Sequence, residues 1–308
     1  MRIIKDIVAG SWALGFVRGG LPAVMESDHF EVDWVKMPKE RWFADPFVLD
    51  VTDEEIMLLV EDYSYATKKG IISLLHINRS TMEISARKEL LELPTHLSYP
   101  AIWRKDGHIY VYPESAQSGK LKLYEYDTDK EELTFVKTIC DDEVWDSYIT
   151  EAFGEPMLFA AAMDNFHLDI YRWNAPKERY IQYLQLTSDK PNCRMGGAVF
   201  EYKGEWYYPA QNCEVVYGGA IDIKRIDVMA NDGMSRLRLN EPLSLNDIKF
   251  SVESVKHIES PHPRMKLGMH TMNEYKGVVV IDVHGYRYGK LGELMAKLVN
   301  LKKRLTNR

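Results

Sequence analysis

Pairs of short apolar segments recur along this chain roughly every 50 residues, a spacing that is typical of β-propeller blades. Several of the segments alternate apolar and polar residues, which is the pattern of half-buried strands. The first segments of the pairs are residues 57–62, 109–114, 157–162, 206–211 and 278–282. The second segments, present in most pairs, are residues 71–77, 121–126, 168–173 and 220–226. The sequence therefore predicts an all-β fold, a five-bladed β-propeller, over residues 1–289.

A short tag precedes the innermost strand of each predicted blade, at residues 44–48, 98–102, 146–149, 196–199 and 270–272. The blades of a propeller surround a central funnel, so we expect the tags to line it. The alternative is that the tags only mark turns. The segment before Asp45 is expected to supply the outer strand that closes the ring with the last blade.

The composition is that of a folded globular protein, with 45% apolar and 28% charged residues. A formal charge of −7 argues against nucleic acid as a partner. Cys140, Cys193 and Cys213 are an odd number without metal-site spacing, and they predict a reducing compartment. The chain has no Walker loop and no dinucleotide-binding glycine motif, so no cofactor is expected.

Location follows from the apolar stretches of the sequence. None approaches the roughly 18 consecutive apolar residues of a membrane-spanning helix. Asp6, Gly10 and Ser11 interrupt the apolar run near the start, so we interpret it as part of a strand and not as an export signal. The expected location is the cytoplasm, with peripheral contact at the inner face of a membrane left open.

The last segment, residues 290–308, has a different character from the rest of the chain. It carries six Lys or Arg residues against one acid, Glu293, and leucines recur at helical spacing at positions 291, 294, 298, 301 and 305. This pattern predicts a basic amphipathic C-terminal helix. Such a helix can lie on an anionic membrane surface or near a lipid-linked acceptor. It can equally dock on the propeller, with its cations merely solvated.

Three acids are the candidates for catalysis. Asp45 follows an aromatic pair and precedes Pro46, which fixes the local backbone. Glycosyl-transfer chemistry commonly uses two carboxyl groups, and equivalent positions on successive blades converge on one axis. We therefore select Asp45 and Glu114 as the pair, with Asp146 as a third acid. Each could instead make only a structural hydrogen bond across the funnel.

Further polar residues at equivalent strand ends are candidates for substrate binding. Arg194 suits the capture of phosphate or carboxylate, and the glycines that follow it permit close approach to a ligand. Two histidines without a third spaced ligand do not indicate a metal site, so no metal is expected. The predicted substrate-binding residues are Glu61, Asp62, Tyr99, Arg194, Gln211, Tyr217, His270, Asp282, His284 and Arg287.

Several segments taken together identify a family resemblance. They are Trp12-Ala-Leu-Gly-Phe, Phe43-Ala-Asp-Pro-Phe-Val, His96-Leu-Ser-Tyr-Pro-Ala, Tyr112-Pro-Glu-Ser, Trp145-Asp-Ser, Arg194-Met-Gly-Gly, Gln211-Asn-Cys and Tyr217-Gly-Gly. This set resembles the N-terminal domain of plant glucosamine inositolphosphorylceramide transferase and a group of stand-alone bacterial relatives. The resemblance runs from about residue 12 to about residue 287 and leaves out the plant glycosyltransferase domain, so the plant activity does not transfer by name.

The resemblance implies a five-bladed propeller similar to arabinanases, invertases and levansucrases. Those enzymes act largely on furanosides and use an aspartate of the first blade as base or nucleophile, a position that Asp45 matches. The resemblance also implies a role in bacterial surface-polysaccharide assembly. The stretch Met269-His-Thr departs from the double histidine expected of the bacterial relatives, which puts a role for His270 in doubt.

Three functions remain open at this point. The favoured one is a glycosyltransferase-like enzyme of polysaccharide biosynthesis that uses an activated sugar, with a furanose as one candidate. The second is a glycoside hydrolase of the furanosidase type. The third is a non-catalytic glycan-binding module. All three predict a carbohydrate partner, and the first two predict an enzyme.

Overall fold

The computed structural model describes residues 9–161, 163–230 and 248–306. Its strands form five four-stranded antiparallel sheets, which are the five blades of a β-propeller. Each blade buries apolar side chains on both faces against its neighbours, which explains why the central strands are rich in Val, Ile, Leu and Tyr. The all-β, five-bladed fold predicted from the sequence is confirmed.

Four blades are built from consecutive strands. Blade 1 contains β3 (Arg41–Val51), β4 (Glu55–Ser64), β5 (Lys69–Asn78) and β6 (Ile84–Leu91). Blade 2 contains β7 (Ser98–Lys105), β8 (His108–Glu114), β9 (Leu121–Asp127) and β10 (Glu132–Cys140). Blade 3 contains β11 (Trp145–Thr150), β12 (Met157–Ala161), β13 (His167–Asn174) and β14 (Arg179–Thr187). Blade 4 contains β15 (Phe200–Tyr202), β16 (Glu205–Asn212), β17 (Ala220–Ala230) and β18 (Ile248–Glu259).

Blade 5 joins the two ends of the chain. It consists of β19 (Met272–Tyr275), β20 (Val278–Tyr286), β1 (Gly10–Val17) and β2 (Val32–Trp34), in that order. β1 pairs with β20 along its whole length, from Gly10 opposite Tyr286 to Val17 opposite Val279. The N-terminal segment thus supplies two strands and not the single outer strand expected, because a short helix, α1 (Gly20–Glu26), lets the chain turn back and add β2.

The strand order within a blade also differs from the expectation. The segments beginning at residues 57, 109, 157, 206 and 278 are the second strands of their blades and not the first. Three of the tags lie inside the innermost strands β3, β7 and β11, the fourth ends just before β15, and the fifth runs into the first residue of β19. Their Asp, Pro and Gly content suggests turns, but in β3, β7 and β11 these residues form irregularities within a strand.

The C-terminal segment forms a helix, α2 (Lys290–Thr306). The helix predicted from the sequence extended to residue 308, and residues 307 and 308 lie outside the described part of the chain. Leu291, Leu294 and Leu298 are about half exposed, with relative exposures of 52%, 57% and 51%. Within the described residues, no helix combines the length and the apolar character that crossing a bilayer requires.

The closing contact predicts a specific stability effect. Leu14 of β1 is fully buried in an apolar cluster that also contains Phe43 and Val280, so it joins blade 5 to blade 1. We expect Leu14→Ala to lower the free energy of unfolding by about 3 kcal/mol through the cavity it leaves. Leu294→Ala, at an exposed leucine, is the matched control and should change it little. Urea unfolding of the two variants gives the comparison, and equal midpoints would contradict a role for β1 in closing the ring.

Candidate active site in the central funnel

The innermost strands of blades 1 to 3 are irregular where they line the funnel. Asp45, Tyr99 and Asp146 have left-handed backbones with φ of 49°, 43° and 37°, and the strand register shifts at each of these places. In the matching segment of blade 4, Gly197 has φ of 151°, and an added Cβ would lie 2.0 Å from the carbonyl oxygen of Met272. Such bulges re-aim side chains and backbone N–H groups, and here they bring the Asp45 carboxyl group and the Tyr99 N–H together.

Asp45 lies on the floor of the funnel and is 4% exposed. Its Oδ1 accepts a hydrogen bond from Thr271 Oγ1 at 2.8 Å, and its Oδ2 accepts one from the N–H of Tyr99 at 3.1 Å. Its own N–H donates to Asp282 Oδ2 at 3.0 Å. Burial raises the pKa of Asp45 to about 8, opposed by the charge of His270 and assisted by neighbouring acids.

His270 stands between two aspartates. Its Nδ1 lies 2.9 Å from Asp282 Oδ1, and its Nε2 lies 3.6 Å from Asp45 Oδ1. Burial alone would lower the pKa of His270, but the two carboxylates outweigh it and raise that pKa to about 9. The Trp12 ring stacks between the rings of His270 and His284, with centroid distances of 3.8 and 4.4 Å. In contrast to His270, His284 has a pKa that burial lowers to about 4. The charged ring therefore rests on an indole face, a favourable cation–π arrangement.

Two glutamates on second strands form the next layer of the funnel wall. Glu61 is paired with His96 Nε2 at 3.1 Å, and His96 Nδ1 accepts the N–H of Gly70 at 3.0 Å. Glu114 accepts hydrogen bonds from Ser98 Oγ and the N–H of Ala116, both at 2.8 Å. Burial raises the pKa of both glutamates. Each is therefore held in place and is biased toward its protonated form.

Asp146 is covered by two polar side chains. Arg194 Nε and Gln211 Nε2 both donate to its Oδ2, each at 2.6 Å. The Arg194 guanidinium also lies 5.3 Å from the ring centroids of both Trp145 and Tyr217. Burial opposes the charge of Arg194, but Asp146 more than compensates and raises its pKa. The result is a fixed guanidinium on the funnel wall, with Asp146 behind it.

These groups surround one cavity of about 950 Å³. Its aromatic lining consists of Trp12, Trp42, Tyr63, Tyr65, Trp145 and Tyr217. Its charged and imidazole lining consists of Glu40, Asp45, Glu61, Lys68, His96, Glu114, Arg194, His270 and Arg287. The cavity therefore combines flat apolar rings with both acids and cations. Pockets of this size and make-up commonly hold small polar ligands.

The structure places seven of the residues predicted for the site on the cavity wall: Asp45, Glu61, Glu114, Arg194, Tyr217, His270 and Arg287. Four others lie behind the wall and hold it through hydrogen bonds or stacking: Asp146, Gln211, Asp282 and His284. The buried ring of Tyr99 packs on Phe47 in the apolar core, so only its N–H reaches the site.

Asp62 does not face the funnel. Successive side chains of a strand point to opposite faces, so Asp62 of β4 points away from the side that Glu61 occupies. It pairs there with Arg41 Nη1 at 2.9 Å and also with Arg87. The two arginines satisfy its charge between strands of blade 1, which gives it a structural contact in place of the predicted contact with substrate.

Sequence reasoning missed part of the wall. His96, Tyr63, Tyr65 and Lys68 line the cavity, and Thr271 binds Asp45. A signal for some of them was present, since His96 lies two residues before the tag that begins at Ser98 and Thr271 lies in the last tag. Tyr63, Tyr65 and Lys68 follow the predicted Glu61 on the same strand and its turn, where no tag marks them.

One group of residues could also hold a cation. Asp45, His270 and Asp282 each offer a ligand atom, and these atoms lie within 4.8 Å of one another. Their hydrogen bonds to one another and to Thr271 already satisfy these side chains. The sequence-based expectation of no metal therefore stays a prediction.

The fold and the funnel define the chain as a five-bladed β-propeller with a polar central cavity. Similar solved structures include a β-xylosidase, RS223, with a TM-score of 0.51 at 10% identity, covering 80% of this chain and 93% of that one. A GH43_1 enzyme from Xanthomonas citri complexed with xylose has a TM-score of 0.50 at 11% identity and covers 80% and 88%. At such identities these likenesses establish the fold alone.

Sequence comparison establishes the family. The model described as glucosamine inositolphosphorylceramide transferase 1, N-terminal, matches residues 31–262, so the chain belongs to this family. The transferase 1 proteins of Oryza sativa subsp. japonica and Arabidopsis thaliana are 25% and 26% identical to it over 264 and 236 residues. These matches cover 75% and 72% of this chain but 35% and 30% of the relatives, so the chain spans about a third of their length.

The buried ion pair at the funnel floor predicts a titration that NMR can follow. His270 should keep its charge through neutral pH, with a pKa of about 9. In Asp282→Asn we expect that pKa to fall toward the ordinary histidine value of about 6.5, because the main stabilising charge is lost. Asp164→Asn, which removes the partner of the surface residue His167, is the matched control. An unchanged His270 titration in Asp282→Asn would contradict the proposed pairing.

Proposed function

We propose that the funnel binds a carbohydrate and transfers a glycosyl group from a phosphate-activated sugar to a hydroxyl acceptor. The observation that carries the proposal is the make-up of the cavity, which brings buried carboxyl groups of raised pKa and fixed guanidinium groups together between aromatic walls. The transferase name of the plant relatives supports a carbohydrate-active protein of this class.

The walls suit the binding of sugar rings. Trp42 and Tyr63 stack with centroids 4.5 Å apart and nearly parallel planes, and Trp145 forms the opposite flank beneath Arg194. Flat rings pack against the apolar faces of a sugar, while acids and imidazoles accept or donate hydrogen bonds to its hydroxyls. A cavity of about 950 Å³ has room for a sugar together with the group that activates it.

Two arginines are placed to bind the phosphate of a donor. Arg194 is held by Asp146 and two rings, and Arg287 stacks on Tyr65 with its guanidinium 3.8 Å from the ring centroid. Arg287 is further fixed by a hydrogen bond to the carbonyl oxygen of Lys39 at 3.0 Å. Rigid guanidinium groups suit phosphate because two parallel N–H groups can bind two of its oxygens.

The reaction would use Asp45 as the base. The acceptor hydroxyl gives its proton to the Asp45 carboxylate while its oxygen forms a bond to the anomeric carbon of the donor. The bond from that carbon to the phosphate oxygen breaks, and the electron pair leaves on the phosphate, where Arg194 stabilises the charge. Glu114 would hold the acceptor hydroxyl. His270, charged and 3.6 Å from Asp45, favours the carboxylate form that the step requires.

The same carboxyl groups could serve hydrolysis, which is the second candidate. Transfer is favoured because the funnel wall holds Arg194, Arg287 and Lys68, and a neutral oligosaccharide gives these cations no partner. Residues 195–199, which lead into the first strand of blade 4, also contain no carboxyl group, so this blade offers no further acid for hydrolysis there. A non-catalytic glycan-binding module is the third candidate, and it predicts binding without turnover.

The proposal extends to a biological setting. We place the activity at the cytoplasmic face of a membrane, in the assembly of a surface polysaccharide with a lipid-linked acceptor, and α2 is the element that would contact the membrane. Cys140, Cys193 and Cys213 are all free thiols, which is compatible with a reducing compartment.

The role of Asp45 can be tested with sugar nucleotides and polyprenyl-phosphate sugars as donors, with products followed by mass spectrometry. Asp45→Asn should reduce transfer by at least about a hundredfold, because an amide cannot take the acceptor proton. The wild-type rate should rise with pH through about 8, since the base acts in its ionised form and its pKa lies there. Asp45→Asn should lose this pH dependence.

Asp50→Asn is the matched control, because Asp50 lies on the same strand but pairs with Lys276 outside the cavity. Its rate and pH profile should equal those of the wild type. Release of free sugar alone, including release from aryl furanosides that Asp45→Asn abolishes, would select the hydrolase. Sugar binding that survives both Asp45→Asn and Glu114→Gln, with no turnover of any substrate, would select the binding module.

A further inference from the structure

Large apolar side chains are exposed around the mouth of the funnel. They lie in the connections that follow the second strands of blades 3 and 4 and in the segment that follows β20. We call this set the rim: Met163, Phe166, Val215, Val216, Tyr217, Tyr288, Leu291, Leu294 and Leu298. Val215 is 91% exposed and Met163 is 75% exposed. Clustered exposure of this kind marks an interaction surface.

Strand pairing places the rim at the mouth and not at the opposite end. β12 ends at Ala161, which pairs with the cavity-lining Trp145, so the following Met163 lies at that end of blade 3. Tyr217 itself lines the cavity. Arg287 also lines it and lies three residues before the first residue of α2, so the helix begins at the mouth. The three parts of the rim therefore flank a single opening.

Charge identifies what the rim contacts. The segment from residue 290 onward carries six Lys or Arg residues and one acid, although the whole chain has a net charge of −7. An anionic surface therefore attracts the helix side of the rim and repels most of the remaining molecule, which turns the mouth toward that surface. A basic amphipathic helix beside exposed apolar loops suits the interface of an anionic bilayer.

We infer that the rim docks on an anionic lipid bilayer, so that the funnel opens onto the membrane and takes its acceptor or donor from a lipid carrier. This inference rests on the proposed function for the nature of the substrate. The exposed apolar side chains of the loops and of α2 enter the interfacial region, and the net positive charge of the segment from residue 290 onward draws it to the lipid phosphates. The substrate of the funnel is then the sugar or phosphate headgroup of a lipid.

Vesicle flotation with the full chain tests the docking. The wild type should bind vesicles of phosphatidylcholine with phosphatidylglycerol and should lose binding to phosphatidylcholine alone. Val215→Asp with Val216→Asp should weaken binding by about tenfold or more, because two charges replace inserted apolar groups. Leu294→Glu should do the same. Thermal unfolding of each variant should match the wild type, since these side chains are exposed.

Phe135→Asp with Val136→Asp is the matched control. This neighbouring pair on the outer strand β10 is 54% and 42% exposed but lies away from the mouth. It should bind vesicles like the wild type. Equal binding of the rim double variant, Val215→Asp with Val216→Asp, and the wild type would overturn the inference. That holds even if Leu294→Glu abolishes binding, because α2 alone would then attach the protein to the vesicle and the loops would not take part. A dimer in solution that the rim double variant converts to a monomer would also overturn it, in favour of self-association.

Activity assays separate this inference from the proposed function. The rim double variant should turn over a lipid-linked substrate in vesicles about tenfold more slowly while leaving turnover of a water-soluble donor and acceptor pair unchanged. Soluble turnover without vesicle binding would overturn the docking and retain the transferase. Vesicle binding without turnover of any substrate would retain the docking and overturn the transferase.

Discussion

The pairing of β1 with β20 is the constraint on which the funnel depends. It ties residues 10–17 to residues 279–286 and so converts a row of sheets into a closed ring. Closure matters for the site because Asp45 belongs to blade 1 while Thr271, His270 and Asp282 belong to blade 5. β19 and β20 also contact β3 directly, for example through the hydrogen bond from Asn273 Nδ2 to the carbonyl oxygen of Pro46 at 2.8 Å, and β1 adds the buried contact of Leu14 with Phe43 to this interface between the two blades.

Closure also creates an electrostatic problem that the floor residues solve in pairs. Several carboxyl groups converge on one axis in a region of low solvent access, where unpaired charges are costly. Asp282 is paired with His270, Glu61 with His96, and Asp146 with Arg194. Asp45 and Glu114 are not paired in this way, because the cation nearest to Asp45 is shared with Asp282 and Glu114 is held by the Ser98 hydroxyl and the N–H of Ala116. Burial raises the pKa of both carboxyl groups, that of Asp45 to about 8, which suits Asp45 to take a proton near neutral pH.

The sequence predicted the architecture well because blade repetition is written in local patterns. Strand alternation, hairpin turns and the leucine spacing of α2 each depend on neighbouring residues, and all appear in the structure. The two-strand closure was not predictable in the same way, since β2 is short and its partner β1 lies beyond α1. The pairing of chain ends is a long-range property that no local pattern specifies.

Prediction of the site was limited by side-chain direction. Repetition correctly drew attention to the tags, but Glu61 and Asp62 are adjacent acids with identical local signals, and only the pleat of β4 separates one from the other. Tyr99 presents a backbone N–H because its left-handed φ turns the residue, while its ring fills the core. His96 was missed because its role depends on Glu61 of the preceding blade, across a distance that sequence spacing does not encode.

The funnel divides its chemistry by depth. Its floor is made by the innermost strands, where left-handed residues are held on both sides by neighbouring blades and can keep Asp45 fixed. Its mouth is made by connections and by α2, which carry the exposed apolar residues. Arg194 connects the two groups, because it is paired with the buried Asp146 and also contacts the ring of the rim residue Tyr217. The proposed donor, entering sugar first, would bring its hydroxyls to the carboxyl groups and its phosphate to the arginines, and under the proposed docking a lipid attached to that phosphate would stay at the rim.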